Sequence, residues 1–399
     1  MSSVTRKASS RRERTAAAGG FRRKLRRHRA ARLGAIFLGM LFLLAVLAPF
    51  LANRFPLLMI REDRLSFPAL QAFAWDDVLW SAGGMLVVIR LVMGRLRPPP
   101  RGRIWRIGFA LAAALVVSWA AFARPVNLAV VDHRALERAG ATCVWAPVPH
   151  GWRDQDERTG VRHAPPGRFP DHPLGTDGRG RDVLARLLFG ARVSLLVGVL
   201  AVGMALAIGT LVGALAGYVG GPVDAALSWL IQVVMCFPVL FAVMVLQIFL
   251  PPGILWVVLL LGLVRWTGMA RLMRAEVRRL RGEDFILAAR VQGLSSWRII
   301  RRHLIPNALA PVLVNATFAV AAAILLESAL SFLGLGVPPP APSWGEMLSQ
   351  GREALSRAPH LVLLPGTAIF LTVLAVNLLG EGVRQALDPR HVPAEEAGV

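Results

Sequence analysis

The sequence predicts an all-α membrane protein, a polytopic bundle of about eight transmembrane helices. Apolar residues make up 55% of the 399 residues and charged residues only 18%, whereas soluble proteins carry about 25% charged residues. The formal net charge is +22, and all but Lys7 and Lys24 of the 46 basic residues are arginine. The apolar content excludes a disordered chain, and two cysteines, Cys143 and Cys236, are too few for a disulfide scaffold.

Long uncharged stretches mark the predicted spans, because a helix needs about 20 mostly apolar residues to cross a bilayer. The 40 uncharged residues 225–264 are interrupted by Pro251-Pro252-Gly253, which predicts two spans joined by a tight turn. The six firm spans are 33–51, 193–221, the two halves of 225–264, 304–326 and 358–380. A series of glycines along the second span predicts close helix packing, namely Gly198, Gly203, Gly209, Gly213 and Gly217.

Two weaker apolar segments, 78–94 and 107–123, flank an arginine-rich loop with a triple proline at 98–100. We predict that they form a transmembrane hairpin. They must be counted both or neither, because a single extra span would invert the orientation of every later segment.

The arginines are sorted between alternate loops. The net charge is +11 over residues 1–32 and +6 over both 90–106 and 271–303, against −1 over 52–78 and zero over 334–357. Short cytoplasmic loops are enriched in arginine and lysine, so eight spans with both termini in the cytoplasm fit this alternation. We interpret residues 1–32 as a basic tail on anionic lipid, rather than a signal or transit peptide, and expect no nucleic-acid partner.

No enzymatic motif is present. Neither lysine stands in a G-x-x-x-x-G-K-[ST] loop, and G-x-S-x-G, H-E-x-x-H and C-x-x-C do not occur. Four histidines between residues 124 and 188 lack metal-ligand spacing, so we expect them to be solvated: His133, His150, His163 and His172. The sequence therefore predicts no catalytic residue, cofactor or metal site.

Charges within the spans are few, which argues against an ion path. Glu327 is expected to hydrogen-bond within the bundle, and Arg265 to reach the interface or a cavity.

The loop between the firm spans at 254–264 and 304–326 predicts two short helices. Residues 283–291 form the first, with Glu283 and Asp284 in its opening turn, where acids favour the positive end of the helix dipole. Gly293 then predicts a turn. A second helix over 295–303 comes next, capped by Ser295. From these residues alone, a solvated amphipathic loop remains the alternative.

The order Ala288-Ala289, three residues, Gly293 and a helix ending at Ile305-Pro306 resembles the EAA loop of binding-protein-dependent ABC importer permeases. Leu287 stands where that loop has its glutamate, and His303 replaces a hydrophobic residue. Four further segments resemble the dipeptide, oligopeptide and nickel branch of this family: 172–198, 217–224, 331–348 and 377–390.

The resemblance implies a helix bundle of the ABC importer permease type, with six family spans plus the predicted hairpin, in the bacterial inner membrane. It implies a tail 1–32, a first span and inserted hairpin 33–123, an extracytoplasmic loop 124–188, a permease core 189–390 with a coupling loop 272–306, and a C-terminal tail 391–399. The residues it assigns to ATPase coupling are Asp284, Phe285, Ala288, Ala289, Gly293, Trp297 and Pro306. The matching outer segment contributes Gly175, Asp177, Gly180, Arg181, Asp182 and Arg192.

The implied partners are two ATPase subunits, a second permease subunit, an extracytoplasmic solute-binding protein and membrane lipid. The chain itself would not hydrolyse ATP, and its solute would be a peptide or a related small molecule. Two other functions stay open at this point: an ion-coupled secondary transporter, and a membrane scaffold that docks a cytoplasmic partner.

Overall fold

The computed structural model describes residues 28–61, 64–71, 77–78, 80–84, 136–137, 140–158 and 160–387. The predicted tail 1–32 falls outside these residues except for its last five. Most of the predicted hairpin and the whole of the tail 391–399 also lie outside them. Those three assignments therefore remain predictions.

The described part is mostly helical. The helices are α1 (Arg29–Leu51), α2 (Pro68–Gln71), α3 (Val183–Val219), α4 (Gly221–Met235), α5 (Val239–Ile248), α6 (Ile254–Leu280), α7 (Asp284–Val291), α8 (Ser296–Ile299), α9 (Ile305–Phe332), α10 (Trp344–Arg352) and α11 (His360–Leu387). A π-helical turn, Ile300–Leu304, joins α8 to α9. Three short strands, β1 (Leu58–Arg61), β2 (Arg64–Ser66) and β3 (Thr142–Val144), form an antiparallel sheet in the order β2-β1-β3.

Five helices of the described part are long and apolar enough to cross a membrane: α1, α3, α6, the continuous helix Ser296–Phe332, and α11. The pair α4 and α5 would make a sixth span, but it is bent by 81°. A span in the first half of 225–264 is compatible with this pair, but the bend between the two helices was not predicted. Pro238 precedes α5, and a proline supplies no N–H to continue a helix from the preceding turn. The predicted break at Pro251–Gly253 is confirmed, because α6 starts directly after it.

The described residues fold into two compact units. One contains residues 194–338 together with 28–38 and 367–387, and the other contains 39–193 and 339–366. The first holds α4 to α9, and the second holds the sheet and α10.

In the first unit, the glycines of α3 bring its backbone against α6. A Cβ on Gly209 would lie 2.5 Å from Met269 Cβ, and one on Gly213 would collide with the carbonyl oxygen of Ala270. A Cβ on Gly217 would lie 2.7 Å from the carbonyl oxygen of Arg274. The predicted small-residue face is confirmed at these positions, whereas a Cβ on Gly203 would meet no atom within 4 Å among the described residues.

Gly213→Ala is expected to destabilise the permease, because the added methyl meets backbone that cannot rotate away. Overpacking of this kind costs about 1–3 kcal/mol. Gly203→Ala is the matched control, since alanine has space there and favours the helix. Thermal unfolding of the detergent-solubilised variants tests the expectation. Equal unfolding midpoints for the two variants would show that α3 and α6 are not in close contact at Gly213.

In the second unit, Arg192 completes the hydrogen bonding of α1. Pro49 lies inside α1 and lacks the N–H that would bond to the carbonyl of Ala45. Arg192 Nε donates to that carbonyl, and Nη2 donates to the carbonyl of Val46 at 3.2 Å. Since an unsatisfied carbonyl is costly in an apolar environment, the arginine stabilises a helix that its proline would otherwise weaken.

Candidate functional site

Helix α7 ends in a left-handed turn, a conformation that glycine adopts most readily. Gly293 has φ +71°. Its N–H donates to Arg290 O at 2.9 Å, and the next N–H, of Leu294, donates back to Ala289 O at 3.2 Å. This pair of bonds is the Schellman arrangement, in which a residue in the left-handed conformation ends the helix. The predicted turn at Gly293 is thereby confirmed, as is the first helix, with Asp284 in its opening turn and Glu283 preceding it.

The second predicted helix does not end at His303. Ser295 lies at its N-cap in extended conformation, but its side chain makes no capping bond. The chain continues from α8 through the π-helical turn into α9, and Pro306 stands in the first turn of α9. Proline is tolerated there because its missing N–H leaves only one bond unmade, and the wider π turn absorbs the steric conflict with the preceding carbonyls.

The loop helices, defined here as α7 and α8 with the π turn, have a buried apolar face. Ile286, Ala289, Ile299, Ile300 and Leu304 are all buried in one hydrophobic cluster. The same cluster contains residues of α6 and α9, among them Met273, Val277, Ala308 and Val312. In addition, the guanidinium of Arg290 lies 5.1 Å from the ring centre of Tyr218. The loop helices are therefore part of the helix-bundle core rather than a solvated loop.

Their opposite face exposes large apolar side chains. The exposed fractions are 42% for Phe285, 46% for Leu287, 89% for Val291 and 54% for Trp297. Asp284, Ala288, Gly293 and Pro306 are exposed as well. The sequence predicts Phe285 and Trp297 as ATPase-coupling residues, but Leu287 and Val291 were not predicted. The signal was available, since the stretch 285–291 is apolar on all sides apart from Arg290, more than one buried face requires.

In the second unit, Asp177 organises the segment that precedes α3. Its Oδ1 accepts from the backbone N–H groups of Arg179 and Arg181 at 2.8 and 2.9 Å, and its Oδ2 accepts from Arg181 Nε at 2.7 Å. Gly175 and Gly180 have φ near +75°, and a Cβ on either would collide with a backbone carbonyl. These predicted residues thus form one compact loop, while Arg192 lies further along α3.

Asp182 directly precedes α3 and holds a buried histidine. Its Oδ1 accepts from Ala185 N at 2.7 Å, which caps the helix, and its Oδ2 accepts from His172 Nδ1 at 2.8 Å. His172 Nε2 lies 3.2 Å from Asp156 Oδ2. Burial alone would lower the pKa of His172, but the two carboxylates outweigh burial, so that its pKa is raised. The expectation that this histidine is solvated is wrong, because two carboxylates compensate its burial.

His150 stacks on His172 with ring centres 4.2 Å apart, and its Nε2 lies 3.3 Å from Asp171 Oδ2. Burial and the neighbouring His172 lower its pKa. The exposed side of this cluster is covered by Arg158, whose Nη2 bonds to Asp171 Oδ2 and to Asp156. Burial raises the pKa of Asp156, but its hydrogen bonds with Arg158 and His172 outweigh burial and hold the pKa well below its ordinary value.

A second ion pair, also missed from the sequence, joins α3 to α10. Arg186 Nη2 donates to Glu346 Oε2 at 2.6 Å, and both side chains are buried. Burial raises the pKa of Glu346, an effect that the charge of Arg186 only partly offsets. A cavity of about 500 Å³ adjoins the pair and is lined by further polar side chains, including Asp177, Gln350 and Arg357.

Glu327 lies buried in α9 of the first unit. Its Oε1 accepts from Ser331 Oγ at 2.8 Å, and its Oε2 accepts from Ser194 Oγ at 3.3 Å. The expectation that Glu327 hydrogen-bonds within the bundle is confirmed. Arg265 in α6 is half-buried.

Two family models match the chain. Residues 209–392 match the binding-protein-dependent transport system inner membrane component, and residues 18–64 match the N-terminal transmembrane domain of oligopeptide transport permease C. The first match includes the loop helices and most of the first unit, whereas the segment from His172 to Arg192 lies between the two matches.

Curated relatives extend this similarity. The chain is 42% identical to a dipeptide transport system permease protein DppC of Alkalihalophilus pseudofirmus, over 56% of this chain and 74% of that protein. It is 40% identical to an oligopeptide transport system permease protein OppC of Escherichia coli, over 62% of this chain and 82% of that protein. A solved structure titled as an amino acid ABC transporter with histidines has a TM-score of 0.40 and 18% identity, over 51% of this chain and 94% of that one.

Both relatives share 40% or more identity with this chain across at least 74% of their own length. The membrane-spanning helices and the family models agree with it. The chain therefore belongs to the family of inner membrane components of binding-protein-dependent transport systems.

Proposed function

We propose that this permease translocates peptides or chemically related small solutes, and that its loop helices are the surface on which the ATPase subunits dock. As a family member, the chain is the transport subunit of an ATP-driven importer and not itself an enzyme. It works with ATPase subunits, a second permease subunit and a solute-binding protein. Peptides are proposed because relatives 40% identical or more are named as dipeptide and oligopeptide permeases.

The observation that carries the docking proposal is the two-sided character of the loop helices. One face lies in the core cluster of the bundle, and the other exposes Phe285, Leu287, Val291 and Trp297. Four large exposed apolar side chains within 13 residues of the chain are typical of an interaction site. Since the buried face ties the loop helices to α6 and α9, a push on the exposed face would move them as one body with the bundle.

The charge pattern supports an orientation for this arrangement. The loop helices lie in a stretch of net charge +6, which favours the cytoplasm, where ATP is available. We accordingly place both termini in the cytoplasm. The loop before α3, with the segment from Gly175 to Asp182, then lies outside, where it would meet the binding protein.

Replacing Gly293 tests the docking proposal, because the structure separates backbone strain from steric collision at this position. A Cβ on Gly293 would meet no atom within 4 Å in the described part of the chain, but the residue has φ +71°. Gly293→Val is expected to reduce ATP-driven uptake of a labelled tripeptide in proteoliposomes holding the complete importer, about tenfold. A β-branched residue resists the left-handed conformation, so the turn would realign α7 relative to α8.

Gly293→Asn is the matched control, because asparagine tolerates the left-handed conformation. It should keep most of the uptake and the transport-coupled ATP hydrolysis. Full coupling in Gly293→Val would contradict the role of this turn. ATPase binding without solute uptake in the unsubstituted complex would favour a scaffold instead, and uptake driven by an ion gradient without ATP would favour a secondary transporter.

A further inference from the structure

We propose that His150, Asp156, Asp171 and His172 form a binding site for a divalent transition-metal ion, for which Zn²⁺ is the probe. The site lies in the loop region before α3 in the second unit. It is independent of the solute and of ATPase docking.

The four side chains offer a suitable donor set. One ligand atom from each residue can be chosen so that all four lie within 4.8 Å of one another. Each imidazole faces a carboxylate, with His172 Nε2 at 3.2 Å from Asp156 Oδ2 and His150 Nε2 at 3.3 Å from Asp171 Oδ2. Two imidazole nitrogens and two carboxylate oxygens are ligands that Zn²⁺ accepts in four-coordinate sites.

The orientation of His172 adds a second argument. Its Nδ1 donates to Asp182 Oδ2 at 2.8 Å, which turns Nε2 towards the cluster. Metal-binding histidines almost always hold their second ring nitrogen in this way. Asp182 is itself fixed, because its other oxygen caps α3 through Ala185 N. Asp182, which caps α3, therefore holds the ring of His172 in the orientation of a metal ligand.

The guanidinium of Arg158 lies beside Asp156 and Asp171, where the proposed metal ion would bind. Its Nη2 bonds to the same oxygen atom of Asp156 and of Asp171 that faces a histidine nitrogen. The two carboxylates thus converge on one positive nitrogen. The side chain of Arg158 is 50% exposed, so it can swing into solvent and leave these oxygens to a metal ion. We infer that guanidinium and metal compete for one site.

The ion would join stretches of chain that have little regular structure. Residues 150–158 and 171–172 contain no helix or named strand, and a third carboxylate, that of Asp182, bonds to His172 beside the two carboxylates of the cluster. A bound cation would link both stretches to the first turn of α3 through His172 and Asp182. Such a link stabilises the folded loop, since an ion that binds only the folded state shifts unfolding towards higher temperature.

The test uses the full chain purified in detergent without a polyhistidine tag and treated with a chelator. Isothermal titration with Zn²⁺ is expected to give one site, and the unfolding midpoint should rise with added Zn²⁺. His150→Gln should weaken binding at least about tenfold by removing a ligand. Arg158→Gln should strengthen binding, because it removes the competing cation. His163→Gln, a loop histidine outside the cluster, should leave the affinity unchanged.

The opposite effects of Arg158→Gln and His150→Gln distinguish a metal site from an ion-pair network. If the cluster is only an ion-pair network, Arg158→Gln destabilises the loop and Zn²⁺ restores nothing, which would overturn the proposal. Equal Zn²⁺ affinity in the His150→Gln and unsubstituted proteins would also overturn it. Mg²⁺ and Ca²⁺ should not substitute for Zn²⁺, because these ions require six or more oxygen ligands; equivalent binding of either would contradict the donor set. None of these results depends on transport activity.

Discussion

Replacing Val291 by glutamate is expected to abolish ATP-driven uptake without reducing the amount of folded permease in the membrane. Val291 is 89% exposed and contributes nothing to the core, so the substitution removes no packing within the chain. If ATPase subunits cover this face, the new carboxylate becomes buried without a partner. That costs several kcal/mol, and each 1.4 kcal/mol weakens binding tenfold. Co-purification of the ATPase and tripeptide uptake in proteoliposomes are the measurements.

Gln292→Glu provides a control that adds the same charge one residue away. Gln292 is exposed and polar already, and it directly follows Val291, the last residue of α7. We expect the Gln292→Glu importer to keep its ATPase and most of its uptake. If both variants behave alike, net charge rather than the apolar patch determines docking. If Val291→Glu retains full uptake, the patch does not contact the ATPase.

Local signals in the sequence predict the turn between the loop helices but not the end of the second one. Asp284 acts through the interaction of its carboxylate with the dipole of α7, and Gly293 acts through its own φ. Both effects are local, so the sequence locates the turn correctly. The end of the second helix depends instead on the chain beyond Pro306. Because a proline in the first turn of α9 is tolerated, the same residue that suggests a stop is compatible with continuation.

The membrane spans show the same contrast. Properties of a single segment are predicted from the sequence, and contacts between segments are not. Apolar length predicts α1, α3, α6, α9 and α11, since crossing a bilayer is a property of one segment. The 81° bend between α4 and α5 was missed because Pro238 was hidden within a run of apolar residues. Helix packing was predicted only as a face of glycines, and its partner helix, α6, could not be identified from α3 alone.

Pairings of distant charges could not be predicted at all. Arg192 bonds to the carbonyls of Ala45 and Val46, which lie about 146 residues earlier in the chain. The histidines of the proposed metal site were dismissed because their spacing fits no short motif. The structure brings them together through irregular loops, and single-sequence periodicity carries no information about such contacts.

Glu346→Leu is the second substitution for which we expect a large effect, and it acts on stability rather than on coupling. The change would leave the buried guanidinium of Arg186 with Asp177 as its nearest acid, whose Oδ2 lies 3.6 Å from Nε. Removing one partner of a buried ion pair costs about 3–5 kcal/mol, because the remaining charge loses its compensation. We expect the unfolding midpoint of the solubilised permease to fall by about 10 °C.

The double variant Arg186→Met with Glu346→Leu separates this loss of compensation from a general intolerance of leucine in α10. Replacing both charges by apolar residues of similar size is often neutral for stability, so the double variant should recover most of the midpoint that Glu346→Leu loses. Glu353→Leu, at an exposed carboxylate just beyond α10, should change the midpoint little. If the double variant is as unstable as Glu346→Leu, the contribution of Glu346 lies in the hydrogen bond that it accepts from Gln350 Nε2, a residue that also accepts from Arg181, and not in the compensation of a buried charge.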